Sequence, residues 1–213
     1  MVSGRSILVA GGTGLVGTAL ARRLHEQGAA VRATYHSRRP AERAELYQRF
    51  DFTSLDDCHA ATRGVQDVFV CAAQTFGAQL MKERPTSLVL PNLAINSGLF
   101  EACRENGVER VVFVSSSTVY QEAFYPIRED QLDLNQQPFQ LYQGVGWMKR
   151  YVEQLARFYH DRYGMKVAIV RPTNIYGPHD KFDLERSHML GATVTKAMTA
   201  PDGLIRIPLN EEN

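Results

Sequence analysis

A glycine-rich turn between a buried strand and a helix constrains this chain more than any other feature of its sequence. Ile7–Ala10 is a short apolar run of aliphatic and β-branched residues, which predicts a strand of a parallel sheet. Gly11, Gly14 and Gly17 follow at three-residue spacing, and an amphipathic helical pattern begins at Leu15. Glycines let the chain turn tightly and let backbone amides approach a diphosphate, whose charge is favoured at a helix N-terminus. The segment therefore predicts a dinucleotide-binding turn; the alternative is a strand-to-helix turn without a ligand.

Strand and helix patterns alternate along the rest of the chain. This alternation predicts βαβ units in an α/β fold of the Rossmann type, a doubly wound parallel sheet with helices on both faces. The predicted strands are Ile7–Ala10, Ala30–Tyr35, a short strand that ends near Phe50–Phe52, Val68–Ala73, Val111–Ser115, Val167–Arg171 and Leu204–Ile207. The predicted helices are Leu15–Gln27, Arg38–Gln48, Leu55–Thr62, Asn92–Asn106, Gly144–Tyr163 and Met189–Ala200.

Composition excludes several functional classes. The 213 residues carry a net charge of +1, which gives no reason to expect nucleic acid or an anionic membrane as a partner. No apolar run approaches the roughly 20 residues of a membrane-spanning helix.

The three cysteines, Cys58, Cys71 and Cys103, are odd in number and poorly spaced for a metal, which predicts reduced thiols in a cytoplasmic protein. The histidines lack carboxylate or cysteine companions at ligand spacing, so no metal site is predicted at His36, His179 or His188.

The end of the second strand bears on the choice of cofactor. In sheets of this type that position meets the adenosine ribose, where a carboxylate favours NAD and an arginine accommodates the 2′-phosphate of NADP. The chain reads TYHSRR at Thr34–Arg39, with no carboxylate and with His36, Arg38 and Arg39 as potential cations. An arginine–phosphate contact therefore favours NADP over NAD. The alternatives are that the arginines are solvated or that the true ribose contact is shifted by one position.

The end of the third strand is the place where the adenine amino group could be met. Asp51 and Phe52 stand there. Asp51 is either that contact or a plain surface aspartate.

Four separated segments resemble one family, the extended short-chain dehydrogenases/reductases that act on nucleotide sugars. The segments are AGGTGLVG at Ala10–Gly17, VSSSTVY at Val114–Tyr120, GWMKRYVE at Gly146–Glu153 and RPTNIYGP at Arg171–Pro178. Their order and spacing fit the family over roughly residues 5–180. The chain looks like an NAD-dependent epimerase/dehydratase of that group, with some similarity to GDP-fucose synthases. The resemblance implies a nucleotide-sugar epimerase, dehydratase or reductase that uses NADP or, alternatively, NAD.

The resemblance also implies a catalytic serine, tyrosine and lysine beside the nicotinamide, with the tyrosine as acid/base. It places the serine at Ser116 and the lysine at Lys149, and the alternative role for Ser116 is capping of the strand end. The tyrosine expected four residues before Lys149 is replaced by Val145, which cannot transfer a proton, and the nearest upstream tyrosine is Tyr142. Three interpretations stay open: Tyr142 serves as acid/base, another group or the serine alone serves, or hydride chemistry is weak or lost.

The remaining candidate residues follow the strand ends. Small residues after the fourth strand permit close approach of the cofactor. Asn92 is either a cofactor contact or a helix N-cap. Pro172 and Asn174 are either site residues or part of a plain turn. Besides Lys149, the candidate cofactor contacts are Gly11, Thr13, Gly14, Leu15, Val16, His36, Arg38, Asp51, Phe52, Cys71, Ala72, Ala73, Asn92 and Pro172. The candidate substrate contacts are Ser117 and Asn174.

Members of the family continue for roughly another hundred residues, which build a small domain that clamps the nucleotide sugar. Residues 1–176 are therefore expected to be the NAD(P)-binding domain and residues 177–213 a remnant of a substrate-binding domain that is mostly absent. In similar proteins, helices corresponding to Asn92–Asn106 and Gly144–Tyr163 pair into a homodimer interface; the alternative is their burial within a monomer. A non-catalytic NADP-binding regulatory or scaffold protein is the second functional hypothesis.

Overall fold

In the part of the chain that the structure describes, six parallel strands form a central sheet. The structure is a computed structural model that describes residues 2–75, 84–182, 184, 187, 189–200 and 204. The strands are β1 (Ser6–Ala10), β2 (Ala30–Tyr35), β3 (Tyr47–Arg49), β4 (Asp67–Val70), β5 (Arg110–Val114) and β6 (Lys166–Val170). Their order in the sheet is β3-β2-β1-β4-β5-β6, and all neighbouring strands are parallel. The predicted Rossmann-type sheet is confirmed.

Helices pack on both faces of this sheet. They are α1 (Leu15–Glu26) on one face and α2 (Leu55–Thr62), α3 (Val89–Glu105) and α4 (Gln143–Tyr163) on the other, and a further helix, α5 (Met189–Thr199), follows β6. On one face α1 packs against Ile7 and Val9 of β1, whereas α2, α3 and α4 share a core with Leu8 and Ala10 on the other. Because successive strand residues point to opposite faces, β1 contributes to both cores. None of the described helices is long and apolar enough to cross a membrane.

The residues at the helix ends explain why several helix boundaries match the prediction. Ser54 is the N-cap of α2, and its Oγ accepts a hydrogen bond from the Asp57 amide, so the helix begins at Leu55 as predicted. Gly164 ends α4 with a φ of 70°, a conformation that glycine adopts without steric cost.

The segment after β2 differs from the prediction. The predicted helix Arg38–Gln48 is wrong, because a single 3-10 turn at Ala44–Leu46 is the only helical piece in this described stretch. The short strand predicted to end near Phe50–Phe52 is β3, which spans Tyr47–Arg49 and pairs with Ala33–Tyr35 of β2. Arg43 has a φ of 50°, which an α-helix cannot accommodate. Long-range strand pairing and local backbone geometry both override the helical pattern here.

Smaller differences concern the elements that follow. β4 ends at Val70 instead of Ala73, and α3 begins at Val89 instead of Asn92. Leu88 is therefore the N-cap of α3, and the interpretation of Asn92 as an N-cap is wrong. The predicted strand at Leu204–Ile207 lies outside the described residues except for Leu204.

Candidate functional site

The candidate site lies along the edge of the sheet where the parallel strands end. The strand order reverses between β1 and β4, which pair with each other while their connections run to opposite sides of the sheet. In open α/β sheets, ligands bind outside the carboxyl ends of the strands at such a switch point. The glycine turn after β1 and the small residues after β4 meet at this crevice.

Gly11 is the position where the glycine turn comes closest to a neighbouring strand. Its φ is +80°, and a Cβ atom there would lie 2.6 Å from the Ala72 Cα atom. The Gly11 amide donates to Thr34 Oγ1 at 2.9 Å, so β2 also holds the turn. A Cβ atom on Gly17 would collide with the Gly11 carbonyl group. The predicted turn is therefore built from three strands and from the start of α1.

The N-terminus of α1 presents its first amides without a competing anion. Gly14 is the N-cap, and among the described residues no side chain caps the helix. Thr13, Leu15 and Val16 are half-buried around this turn, and the first turn of α1 contains no acidic residue. Helix N-termini carry partial positive charge, and their first amides lack intrahelical partners. These residues fit the diphosphate of a dinucleotide.

Two candidates from different strand ends lie together at the far side of the crevice. His36 Nε2 is 3.6 Å from Asp51 Oδ2. Asp51 also accepts hydrogen bonds from the amide and the hydroxyl of Thr53, which lower the pKa of its carboxyl below the usual range. Arg38 is exposed, and its Nη2 lies 3.4 Å from the carbonyl oxygen of His179. The Arg38 guanidinium and the Asp51 carboxylate thus flank the position expected for the adenosine of a dinucleotide.

Sequence reasoning missed three residues of this region: Thr34, Tyr47 and Arg49. Thr34 binds the Gly11 amide, and Arg49 Nε donates to the His36 carbonyl oxygen at 3.1 Å. Tyr47 packs its ring against Gly12, and burial raises the pKa of its hydroxyl. The signal for Thr34 was available, since it is a polar residue at the buried end of a strand. Tyr47 and Arg49 depend on the position of β3, which the sequence did not reveal.

Asn92 connects α3 to the segment that follows β4. Its Oδ1 accepts from the Gln74 amide at 2.9 Å, and its Nδ2 donates to the Gln74 and Leu88 carbonyl oxygens. Asn92 is buried, so these contacts position the backbone of Ala73 and its neighbours. The hydrogen bonds of the Asn92 side chain therefore help to shape the crevice.

Two other candidates have side chains directed into the protein. Phe52 is buried in the core beneath α2 and α3 and stacks on Phe50. Cys71 is half-buried, and burial raises the pKa of its thiol to about 12. Cys71 is therefore a neutral side chain at neutral pH. Among the described residues, no group of three or more histidine, cysteine, aspartate or glutamate side chains could hold a metal ion.

The ends of β5 and β6 bring the remaining candidates together. Ser116 is the N-cap of a short 3-10 turn, and its Oγ accepts from the Thr118 amide at 3.2 Å. Capping uses only an acceptor lone pair, so the hydroxyl hydrogen stays available to donate. The Ser117 amide donates to the Pro172 carbonyl oxygen at 2.9 Å, which links the two strand ends. Asn174 is exposed two residues beyond Pro172.

Lys149 is buried on α4. Its Nζ donates to the Val114 carbonyl oxygen at 2.8 Å and lies 4.7 Å from the centre of the Phe113 ring. Burial lowers the pKa of its ammonium to about 8, and this effect is opposed by Glu153 and Cys71. The lysine is thus close to the end of β5 that carries the candidate serine, and its charge is poorly solvated.

The position of the missing tyrosine is filled by an apolar side chain. Val145 lies one helical turn before Lys149 and packs against the core between α3 and α4. Tyr142 is the N-cap of α4, and its ring is 6.0 Å from that of Phe139. Gly146 allows close packing of α4, because a Cβ atom there would lie 2.5 Å from the Thr118 carbonyl oxygen.

We expect Lys149→Met to remove a pH-dependent part of the stability. The pKa of Lys149 is about 8 in the fold and 10.5 in the unfolded chain, so between these values only the unfolded chain holds the proton. Lys149 therefore makes the free energy of unfolding rise with pH in that window, by about 3 kcal/mol in total. Urea unfolding of both proteins from pH 7 to pH 11 measures this as a difference curve. If the difference in the free energy of unfolding between the two proteins did not change with pH, the lowered pKa of Lys149 would be contradicted.

The segment after β6 runs back across the glycine turn. Gly177 approaches Leu15, with 3.5 Å between a Cβ atom placed on the glycine and Leu15 Cδ1. Lys181 Nζ donates to the backbone carbonyl and the side-chain hydroxyl of Thr75. Residues 177–181 therefore lie beside the crevice, at the ends of β1 and β4.

Comparison with known proteins agrees with this geometry. The model of the NAD dependent epimerase/dehydratase family matches residues 7–209. A dTDP-4-dehydro-6-deoxy-D-allose reductase of Streptomyces is 32% identical over 92% of this chain and 63% of its own length. A GDP-L-fucose synthase of Sinorhizobium fredii is 30% identical over 94% of this chain and 61% of its own length. The chain thus spans less than two thirds of these relatives.

Solved structures share the fold. A GDP-mannoheptose C4 reductase from Campylobacter jejuni with NADP bound has a TM-score of 0.76 and 22% identity, over 92% of this chain and 56% of that one. The family model covers the glycine turn, the three candidate catalytic residues Ser116, Tyr142 and Lys149, and the segment beside the crevice. The chain therefore belongs to the NAD-dependent epimerase/dehydratase family.

Proposed function

We propose that this chain binds NADP at the carboxyl edge of its sheet and acts on a nucleotide sugar as a reductase or epimerase with weakened proton transfer. The observation that carries the proposal is the glycine turn packed on Ala72 beside the uncapped N-terminus of α1. The amides of the first turn would bind the diphosphate, and Arg38 would bind the 2′-phosphate. Relatives named as nucleotide-sugar reductases and synthases support the substrate class.

Bound NADP(H) supplies the hydride in chemistry of this kind. The groups that this chain contributes are the Ser116 hydroxyl, which can donate to a substrate oxygen, and the Lys149 ammonium nearby. Ser117 and Asn174 border the place where a sugar would lie, at the ends of β5 and β6. Val145 places no acid/base group at the position where the family resemblance expects the tyrosine.

Calorimetric titration with NADPH and with NADH tests the cofactor half of the proposal. We expect binding of NADPH, with weaker binding of NADH. The absence of binding by either nucleotide would refute the proposed function. Titration of the NADPH-loaded protein with a panel of GDP-, dTDP- and UDP-sugars then tests the substrate half.

We expect Arg38→Ala to weaken NADPH binding by about 10- to 100-fold and to leave NADH binding nearly unchanged. A charge-assisted contact with the 2′-phosphate is lost, and NADH has no such phosphate. Arg22→Ala is the matched control, because Arg22 is exposed on α1 and pairs only loosely with Glu26 among the described contacts. Equal losses of affinity for NADPH and NADH would show that Arg38 does not bind the 2′-phosphate.

A non-catalytic NADP-binding protein is the second candidate. Two observations favour it: Val145 packs into the core, and the Lys149 ammonium donates to a backbone carbonyl oxygen. The two candidates differ in a single assay, since a regulatory or scaffold protein would bind NADPH without oxidising it in the presence of any nucleotide sugar. Measurable turnover by the wild-type chain would exclude this candidate.

We propose a homodimer that pairs α3 and α4 with their symmetry mates. Large apolar side chains follow one exposed stripe of α4, namely Trp147, Tyr151 and Phe158, and Leu90 is exposed near the start of α3. Such a stripe at i, i+4, i+11 is typical of a helix that packs against a partner.

We expect the double variant Tyr151→Glu with Phe158→Glu to be monomeric where the wild type is dimeric. Two carboxylates at the centre of an apolar helix interface cannot be buried without partners. Light scattering at micromolar concentration measures the mass, and Arg22→Glu on the other face of the sheet is the control. A monomeric wild type would refute the dimer.

We propose that residues 1–176 form the nucleotide-binding domain and that residues 177–213 belong to the substrate-binding part. The contacts of Gly177 and Lys181 with the crevice support this assignment. The free thiols of Cys58, Cys71 and Cys103 support a reducing, cytoplasmic compartment.

A further inference from the structure

A buried carboxylate joins three segments that carry the proposed site. Glu153 has no accessible surface and lies on α4, one turn after Lys149. Its Oε1 accepts from Ser115 Oγ at 2.6 Å and from Arg171 Nε at 3.0 Å, and its Oε2 accepts from Arg171 Nη2 at 2.7 Å. One side chain on a helix thus binds the ends of both β5 and β6.

Arg171 extends this network to a fourth segment. Its Nη1 donates to the Tyr120 hydroxyl at 3.0 Å and to the Glu129 carbonyl oxygen at 2.9 Å. Its guanidinium also lies 5.2 Å from the centre of the Tyr120 ring. The polar loop that follows β5 is therefore attached to the same ion pair.

Each member of the network stands next to a candidate site residue in the chain. Ser115 precedes Ser116, Arg171 precedes Pro172, and Glu153 follows Lys149 by one helical turn. A buried ion pair is costly to desolvate, and an apolar pair of similar volume is often as stable. Stability alone therefore does not explain why a carboxylate and a guanidinium meet here.

We propose that Glu153 is a positioning residue. Through Ser115 and Arg171 it fixes the ends of β5 and β6 relative to α4, in the geometry that receives the nicotinamide half of the coenzyme and the substrate oxygen. This inference rests on the proposed function and adds a residue to it. The adenosine half of the coenzyme would lie at the ends of β1, β2 and β3, where none of the side chains of this network is found.

Glu153→Gln tests the inference, because it keeps the shape of the side chain and removes its charge. We expect NADPH to bind about tenfold more weakly or worse, while 2′,5′-ADP, which lacks the nicotinamide half, binds within about twofold of wild type. Asp67→Asn is the matched control. Asp67 is also a buried carboxylate paired with two arginines, Arg5 and Arg110, but it lies at the opposite edge of the sheet. Its variant should lower stability without changing the ratio of the two affinities.

Ser115→Ala provides a milder test should Glu153→Gln fail to fold. It removes one hydrogen bond to the carboxylate, and we expect about a threefold loss of NADPH affinity with unchanged 2′,5′-ADP affinity. Unchanged NADPH affinity in the folded variants, equal loss of both ligands, or the same selective loss in Asp67→Asn would overturn the inference.

Hydrogen exchange separates this inference from the proposed function. In the ligand-free protein, Glu153→Gln or Ser115→Ala should speed amide exchange at residues 115–120 and 171–174, and Asp67→Asn should not. If the wild type binds no nicotinamide nucleotide, the proposed function fails, and the exchange data decide only whether Glu153 fixes the ends of β5 and β6. Unchanged exchange at both segments would then overturn the inference.

Discussion

Replacement of Gly14 by aspartate should abolish coenzyme binding while leaving the fold intact. Gly14 is the N-cap of α1 with a φ of −75°, which an aspartate adopts without strain. Aspartate is also a preferred N-cap, and a negative charge at a helix N-terminus is stabilising. We therefore expect the free energy of unfolding to stay constant or to rise by up to about 1 kcal/mol. A carboxylate next to a bound diphosphate, however, costs about 4 kcal/mol at 4 Å, or roughly a 1000-fold loss of affinity.

Gly14→Ser is the control for this variant. It places the same Cβ atom 3.3 Å from the Gly11 carbonyl oxygen and offers a neutral cap, so it should reduce NADPH affinity much less than aspartate does. Calorimetry measures both affinities, and urea unfolding measures both stabilities. If Gly14→Asp folds and binds NADPH like the wild type, the diphosphate does not lie at the N-terminus of α1.

The sequence predicted the parts of the fold that local chemistry determines. The glycine spacing located the turn between β1 and α1, and Ser54 and Gly164 located the ends of α2 and α4, because capping and positive φ are properties of single residues. These signals act within a few residues of the chain. They were sufficient to predict a doubly wound parallel sheet and to locate the glycine turn within it.

The segment between β2 and α2 could not be predicted in the same way. β3 is three residues long, and it exists because Tyr47 and Arg49 pair with β2 and because the Tyr47 ring packs on Gly12. Each of these interactions joins residues more than ten positions apart. A three-residue strand has no periodicity of its own, so the pattern of Arg38–Gln48 was interpreted as helical.

In the candidate site, too, local signals were visible in the sequence and long-range contacts were not. Motif spacing located Ser116 and Lys149, but it did not reveal that the Lys149 ammonium donates to the Val114 carbonyl oxygen. It also did not reveal the ion pair between Glu153 and Arg171, which are 18 positions apart in the chain. Residue types at fixed offsets indicate which groups reach the site. The partners that orient those groups are set by how β5, β6 and α4 pack.

Val145→Tyr should produce a strong gain of activity. Positions 145 and 149 both lie within α4, one turn apart and on the same face, so the new hydroxyl would stand beside the Lys149 ammonium. A positioned acid/base contributes about 100- to 10,000-fold to the rate. We therefore expect hydride transfer between NADPH and a suitable nucleotide sugar to increase by about 100-fold or more in kcat, with little change in the Kd of NADPH. Loss of NADPH absorbance under saturating substrate measures the rate.

Val145→Phe distinguishes proton transfer from packing in this experiment. Phenylalanine adds the same ring against the core between α3 and α4 but has no hydroxyl, so its activity should remain at the wild-type level. The activity of Val145→Tyr should also fall as pH rises above the pKa of Lys149, near 8, because the ammonium that stabilises a phenolate is then lost. An equal gain in both variants would mean that the added ring, and not a proton donor, was what the site lacked. No gain in either variant would contradict the prediction. Turnover by the wild type would then belong to Tyr142 or to Ser116, and Tyr142→Phe in the wild-type background decides between these two. No turnover by any of these proteins would favour the non-catalytic candidate.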